Sequence, residues 1–326
     1  MKKSLFVTLA DKNYLDQAKQ LFSSVYWNAG WQGDYMLLAH EVPEKDLTWF
    51  RNKGILVKHC APISRVAPTG SLSLVCLTKF YLFTPEFKKW DTIVYLDADI
   101  IVRYSLEALT HVHGFNAVID KIGWRSLRYQ FRFTNSEDES FKKFKESFKP
   151  NAPTFNAGVM AFSTDIITEN SFERLCQLLT IYHKNAIYHD QPIFNLYFYE
   201  RWKKLSSVYN VIVPMWIRLL KPEEIDGAVV HFIESKKPWI FDSPFYDEWK
   251  NNLEKADAID LNVTSTGYRI FSGEDMEQRW FSIGVLRVFL IIFEFYYFLD
   301  RRIGLLGIFL KKDYPRFYFT LMKVKK

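Results

Sequence analysis

The sequence predicts an α/β fold: a single domain with a mostly parallel central sheet, followed by a helical tail. Three observations carry this expectation. Short apolar runs alternate with stretches of helical spacing from the N-terminus onward, the pattern of a parallel sheet with right-handed crossovers. The run Ile93 to Leu96 ends in two carboxylates one residue apart, Asp97 and Asp99, and ligands in open α/β sheets collect beyond such strand ends. The basic charge is concentrated at the end. Residues 301–326 hold eight Lys/Arg against one Asp, while the other 300 residues hold 35 basic and 36 acidic side chains.

Leu5 to Leu9 is the first strand. Met1-Lys2-Lys3 followed by Ser4 to Ala10 superficially resembles a secretory leader. Its apolar part is only seven residues and meets Asp11 at once, so a strand is the better reading. Asp11 to Tyr26 is helical, with Tyr14, Ala18, Leu21, Phe22 and Val25 spaced for one apolar face. Tyr35 to Ala39 is the second strand, Pro43 opens a helix to about Arg51, and Ile55 to Lys58 is the third strand. A loop over 61–74 leads to a helical Leu77 to Phe83 and then to the strand before Asp97.

Phe115 to Asp120 reads as a strand ending in a carboxylate. Residues 121–154 lack periodicity, which suggests an acceptor-facing loop or lid, or else a solvated helix pair. Thr154 to Phe162 resumes a strand, and Gly158 within it lets something approach the backbone. A helix follows over about Ser171 to His183, and His189-Asp190-Gln191-Pro192 opens another. Val208 to Pro214 and Ala228 to Ile233 are late strands.

Composition narrows the function classes. A hydrophobic content of 48% supports a sizeable core, and 17% aromatics suit sugar stacking, membrane contact or core filling. Cys60, Cys76 and Cys176 form no Cys-x-x-Cys pair, so neither a disulfide framework nor a zinc site is expected, and a reducing compartment fits. The near-neutral fold argues against nucleic acid as a partner. If Asp97 and Asp99 lie on an extended segment, alternate side chains point the same way and both can face one Mg²⁺ or Mn²⁺. The plainer reading is a turn, where Asp is common.

Six segments add a resemblance: Phe6-Val7-Thr8-Leu9, Leu77-Thr78-Lys79, Tyr95-Leu96-Asp97-Ala98-Asp99, Phe155-Asn156-Ala157-Gly158-Val159, Asp190-Gln191, and the run His231 to Trp239. Each is weak alone. In this order and spacing, the chain resembles glycosyltransferase family 8 over roughly residues 4–242. The resemblance implies an A-type glycosyltransferase domain that binds a UDP-sugar with Mn²⁺ (or Mg²⁺) and transfers a hexose, glucose or galactose, with retention at the anomeric carbon.

Carried over, Asp97, Asp99 and His231 ligate the metal, and Lys237 reaches the diphosphate. Lys79 lies near phosphate or ribose. Thr8 and Leu9 meet uracil, and Tyr14 stacks on it. Asp120, Asn156, Asp190 and Gln191 hold the sugar, with Ala98, Ala157 and Gly158 in the same donor-binding set. Each has a plainer reading: a core histidine, a surface lysine beside Lys236, a solvated Lys79, a Tyr14 on the apolar helix face, an Asp190 that caps a helix. Asp190 and Gln191 are the catalytic candidates, one as a nucleophile and the other as a carbonyl facing positive charge. Attack from the leaving-group side would need neither a nucleophile nor a protein base. One departure stands out: Glu234 occupies a place where the family usually has a small residue.

The tail from Trp280 to Leu299 is apolar and aromatic but contains Arg287 and Glu294, with Arg301-Arg302 and Lys311-Lys312 beyond. Buried charges make a span costly, so a helix lying on anionic lipid is expected over a span or packing on protein. The division expected is a catalytic domain over 1–260 and a membrane-associating tail over 261–326. A glycan or lipid-linked acceptor on the cytoplasmic face of a membrane follows, and a homo-oligomer is compatible with it. The competing classes are a nucleotidyltransferase, which would want a glycine-rich basic loop that Thr8 to Tyr14 lacks, a degenerate sugar-binding scaffold, and a glycogenin-like self-glucosylating enzyme.

Overall fold

Ser4–Ala10 (β1) is buried along its whole length, as a central parallel strand must be. It belongs to a computed structural model that describes residues 3–275 apart from 64–73, 121–125, 134–138, 189, 218–219, 234–236 and 264. The further strands are β2 (Asp34–His40), β3 (Leu56–Cys60), β4 (Thr92–Leu96), β5 (Ile100–Val102), β6 (Phe115–Ile119), β7 (Phe155–Ser163), β8 (Trp202–Lys204), β9 (Val211–Ile212) and β10 (Val229–His231). Seven form one sheet in the order β3-β2-β1-β4-β7-β6-β8, and three form a small sheet, β5-β10-β9.

In the large sheet four of the six neighbouring pairs are parallel, and β7 alone runs antiparallel to its neighbours β4 and β6. Alternate residues of the central strands feed two cores. Leu5, Val7, Ile93 and Tyr95 join one, while Phe6, Ala10, Val94 and Leu96 join the other, the period-2 consequence of covering both faces.

The α-helices are α1 (Leu15–Ser24), α2 (Thr48–Asn52), α3 (Glu139–Ser147), α4 (Ser171–Tyr182), α5 (Gln191–Tyr197), α6 (Val213–Trp216) and α7 (Tyr246–Glu254). In α1 the expected face holds for Ala18, Leu21 and Phe22, and continues in Val25, all fully buried. Tyr14 parts from it. It sits in a 3₁₀ turn whose Asp11 side chain accepts from Asn13 N, and it is 39% exposed. Helix α1 runs on as a π-helical turn, Val25–Ala29, closed by Gly30 at φ +61°. The Tyr268 ring lies against Gly30, where a Cβ would come within 2.3 Å of it.

The expected helix over Leu77 to Phe83 is a ten-residue 3₁₀ helix, Leu74–Phe83. Its three-residue repeat places Leu77, Phe80 and Phe83 together in the core and leaves Cys76 and Lys79 one above the other. The segment read as a strand over Val208 to Pro214 is strand only at Val211–Ile212, and Pro214 lies in the first turn of α6.

In the described parts of 121–154 most of α3 is exposed, but an apolar face packs inward. Leu127, Phe131 and Phe144 are buried, and the Phe131 ring packs 5.3 Å from Phe144 and 5.8 Å from Tyr182. Residues 1–120 and 124–275 form one unit; the second, 121–123 with 276–326, lies outside the described residues. So do the tail over 280–326 and Glu234. Among the described residues no helix is long and apolar enough to cross a membrane.

Candidate active site

Strand β4 stops at Leu96 and β5 starts at Ile100, in a different sheet. Asp97 and Asp99 therefore sit on a turn that carries the chain between sheets, and the shared face of an extended strand is not what brings them together. Two backbone hydrogen bonds pin the turn: Asp97 N donates to Gly158 O on β7, and Phe232 N, just past β10, donates to Asp99 O, both at 2.9 Å. The second bond brings His231, the last residue of β10, to the pair. Asp97, Asp99 and His231 each offer one ligand atom, all within 4.8 Å of one another.

Strand β7 passes so close that a Cβ on Gly158 would lie 2.3 Å from His231 Cε1 and 2.9 Å from Asp97 Oδ2. Only glycine leaves this cradle open. Two carboxylates and an imidazole suit a hard or borderline divalent cation.

The carboxylates are paired with ammonium groups. Lys79, 2% exposed, places Nζ 2.9 Å from Asp97 Oδ1 and 3.0 Å from Asp190 Oδ2, so it is not a solvated helix lysine. Burial works against its charge, but Asp190 and Asp97 outweigh burial and raise its pKa. Tyr95 donates its hydroxyl to Asp97 Oδ1 at 2.7 Å. At Asp99, burial likewise opposes charge, and His231, when protonated, and Lys237 overcome it, holding the carboxyl well below the usual range. Lys237 Nζ donates to Asp99 Oδ2 and to Phe232 O. It lies 5.6 Å from the Trp239 ring, which in turn meets Tyr14 edge-on at 5.8 Å.

The opposite wall is made of amides. Asp120 follows β6 and is buried. Gln191, the first residue of α5, donates through Nε2 to Asp120 Oδ2 at 2.8 Å. Its Oε1 accepts from Ala157 N and Asn156 Nδ2, each at 3.1 Å. Both lone pairs of that carbonyl are used by these two bonds. Asp190 occupies the N-cap position of α5 but makes no capping bond; its carboxylate goes to Lys79, so the capping reading is excluded.

These residues surround one cavity of about 460 Å³, within the usual range for small-ligand sites. Leu9, Tyr14, Ala98, Asn156, Ala157 and Gly158 line it with the charged groups named above. Thr8 does not. Its side chain is fully buried and its hydroxyl donates to Leu96 O at 2.8 Å, behind the wall that Leu9 and Ala10 present. Tyr95, Cys76 and Tyr188 also line the cavity and were not singled out from the sequence. Tyr95 was legible as the residue two before Asp97. Burial first, then the nearby Asp190, pushes the Cys76 thiol up. Asn210 was missed as well: it is the one polar residue in an otherwise apolar run after Tyr209, and it contacts His231 and Asn156.

Comparison with known proteins places this geometry. The family model for glycosyl transferase family 8 matches residues 6–242. Galactinol synthase 5 of Arabidopsis thaliana is 26% identical over 230 residues, 67% of this chain and 66% of its own length. Glycosyltransferase GlyB of Streptococcus pneumoniae serotype 4 is 29% identical over 199 residues, 56% of this chain and 44% of its own. The chain thus spans just under two thirds of the first of these relatives and less than half of the second. Among solved structures, the galactosyltransferase LgtC in complex with donor and acceptor sugar analogues matches with a TM-score of 0.59 at 18% identity, over 78% of this chain and 96% of that one. GlyE of Streptococcus pneumoniae TIGR4 matches at 0.56 and 20%, over 87% and 64%. These two structures speak to the fold, which is shared; the family match spans most of the chain, and the protein is a member of glycosyl transferase family 8.

Proposed function

We propose that this protein is a retaining, metal-dependent hexosyltransferase that moves glucose or galactose from a UDP-sugar to the hydroxyl of a glycan or lipid-linked acceptor. The observation that carries the reading is the convergence of Asp97, Asp99 and His231 within 4.8 Å on a cavity that also holds Lys237, Asp120, Asn156, Asp190 and Gln191. Asp97, Asp99 and His231 hold Mn²⁺ or Mg²⁺, which when bound supplies positive charge against the diphosphate of the leaving group. Lys237, on a long flexible stem, moves from Asp99 to a phosphate oxygen.

Leu9 and Tyr14 flank the base, and Asp120, Asn156 and Asp190 bind sugar hydroxyls. Gln191 orients Asp120 and Asn156 through its two amide ends. The pairing of Asp190 with the Lys79 ammonium supports transfer on the leaving-group face, because a carboxylate neutralised in this way is a poor nucleophile. In that route a phosphate oxygen of the donor takes the acceptor's proton. The unit over 1–260 catalyses, and the tail, through residues 280–326, rests on the cytoplasmic face of a membrane.

The test is incubation with UDP-[¹⁴C]glucose and UDP-[¹⁴C]galactose, with Mn²⁺ or with EDTA. Release of UDP from one of them, abolished by EDTA, is expected. Absence of binding to either nucleotide sugar refutes the reading.

A further inference from the structure

We propose that Asn210 is a positioning residue. A one-way chain of hydrogen bonds that begins at Asp120 uses it to hold the His231 imidazole with its proton on Nδ1, so that Nε2 offers its lone pair to the Asp97–Asp99 turn. The purpose assigned to this lone pair rests on the metal-binding reading above; the tautomer itself does not.

The direction of the chain comes from groups that cannot reverse. Backbone N–H groups only donate. Ala157 N lies 3.1 Å from Gln191 Oε1, and Gly158 N lies 3.0 Å from Asn156 Oδ1. Turning either side-chain amide end for end would set an NH₂ against an N–H. The main chain of β7 therefore orients both amides. At the far end, the Asp120 carboxylate accepts from Gln191 Nε2, which agrees. Gln191 Oε1 also accepts from Asn156 Nδ2. Asn156 Oδ1 can only accept from Asn210, so Asn210 presents Nδ2 to it, at 2.9 Å.

The other end of the Asn210 amide is then an oxygen, and it lies 2.9 Å from His231 Nδ1. An oxygen there requires Nδ1–H. The partner of one imidazole nitrogen decides the state of the other. His231 Nε2 and Asp99 Oδ1, 3.2 Å apart, face each other as two lone pairs that a shared cation or proton satisfies. In the opposite tautomer, Nε2–H would occupy that point.

Asn210 and His231 are 3% and 2% exposed, so water does not compete for either bond. The same polarity runs from the carboxylate and amides on one wall to the imidazole on the other. A change in the hydrogen bonding of Asn156 or Gln191 reaches His231 without touching it.

Histidine-selective ¹⁵N and ¹³C NMR of the full chain in EDTA, at a pH where the imidazole is neutral, tests this. The proposal expects the Nδ1–H form of His231 in the wild type, the same form in Asn210→Asp, whose carboxylate still accepts, and a switch to Nε2–H in Asn210→Leu. Titration with Mn²⁺, followed by EPR, gives the second readout. Affinity falls by about 10- to 100-fold in Asn210→Leu, the usual cost of losing such an outer partner, and by less in Asn210→Asp, which keeps the acceptor for Nδ1–H but loses the donor to Asn156 Oδ1. An Nε2–H wild type overturns the proposal. So does an equal loss of affinity in both variants with the tautomer unchanged, which would make Asn210 a packing residue. An Nδ1–H wild type whose Mn²⁺ affinity equals that of His231→Ala supports the tautomer and refutes the metal reading.

Discussion

On one wall of the cavity, built from the turn 97–99 and the 3₁₀ helix, carboxylates are held by ammonium groups: Lys79 on Asp97 and Asp190, Lys237 on Asp99. On the other, built from β7 and α5, amides are held by backbone N–H groups and by one another. The first arrangement depends on charge and tolerates exchange of one cation for another. The second depends on direction, and each member has one orientation that satisfies its neighbours. A diphosphate with its cation needs the first kind of wall; a hydroxyl-bearing sugar needs the second.

Asp99→Asn removes a charge from the adaptable wall. Turnover with Mn²⁺ is expected to fall about 10³-fold, near 4 kcal/mol, measured as UDP release. Activity close to wild type would show that the wall does not work by charge. Lys79→Met leaves two carboxylates around a buried methyl group. Stability is expected to drop by about 3–5 kcal/mol, as when one partner of a buried ion pair is removed, read from the urea midpoint.

Asp190→Asn sharpens the comparison, because it keeps an acceptor for Lys79 while discarding the charge. A loss of turnover of no more than about 100-fold fits leaving-group-face transfer, whereas no detectable turnover with intact UDP-sugar binding would restore Asp190 as a nucleophile. The smallest effect is expected at Thr8→Val. It leaves the Leu96 carbonyl without its partner and costs about 1 kcal/mol, with the KM for the sugar nucleotide unchanged, since the hydroxyl faces β4 and not the cavity.

The first half of the fold was legible because its cues are local. β1 through β4 are apolar runs separated by helical spacing; β1, β2 and β3 became neighbours in chain order, while β4 joined the other side of β1. β7 was legible as a strand but not as the one that runs antiparallel between β4 and β6, since nothing in an apolar run states which partner it will meet. In the site, Asp97 and Asp99 announced themselves by spacing. Asp190 did not reveal whether it would cap α5 or pair with Lys79, because the two outcomes differ only in what lies across the cavity. Asn210 carried a faint signal, a single amide in an apolar stretch, and its partners are 21 and 54 residues away.

The sequence by itself determined the α/β class, the pair of carboxylates that follows β4, the charge separation between fold and tail, and the family. These depend on the order, spacing and chemical type of residues. Tertiary structure alone decided which groups share a charge, which amide end faces which neighbour, and that Gly158 leaves room beside His231. Those outcomes turn on contacts of a few ångströms between segments far apart in the chain, where a Cβ 2.3 Å from an imidazole carbon is forbidden and a bare Cα is not.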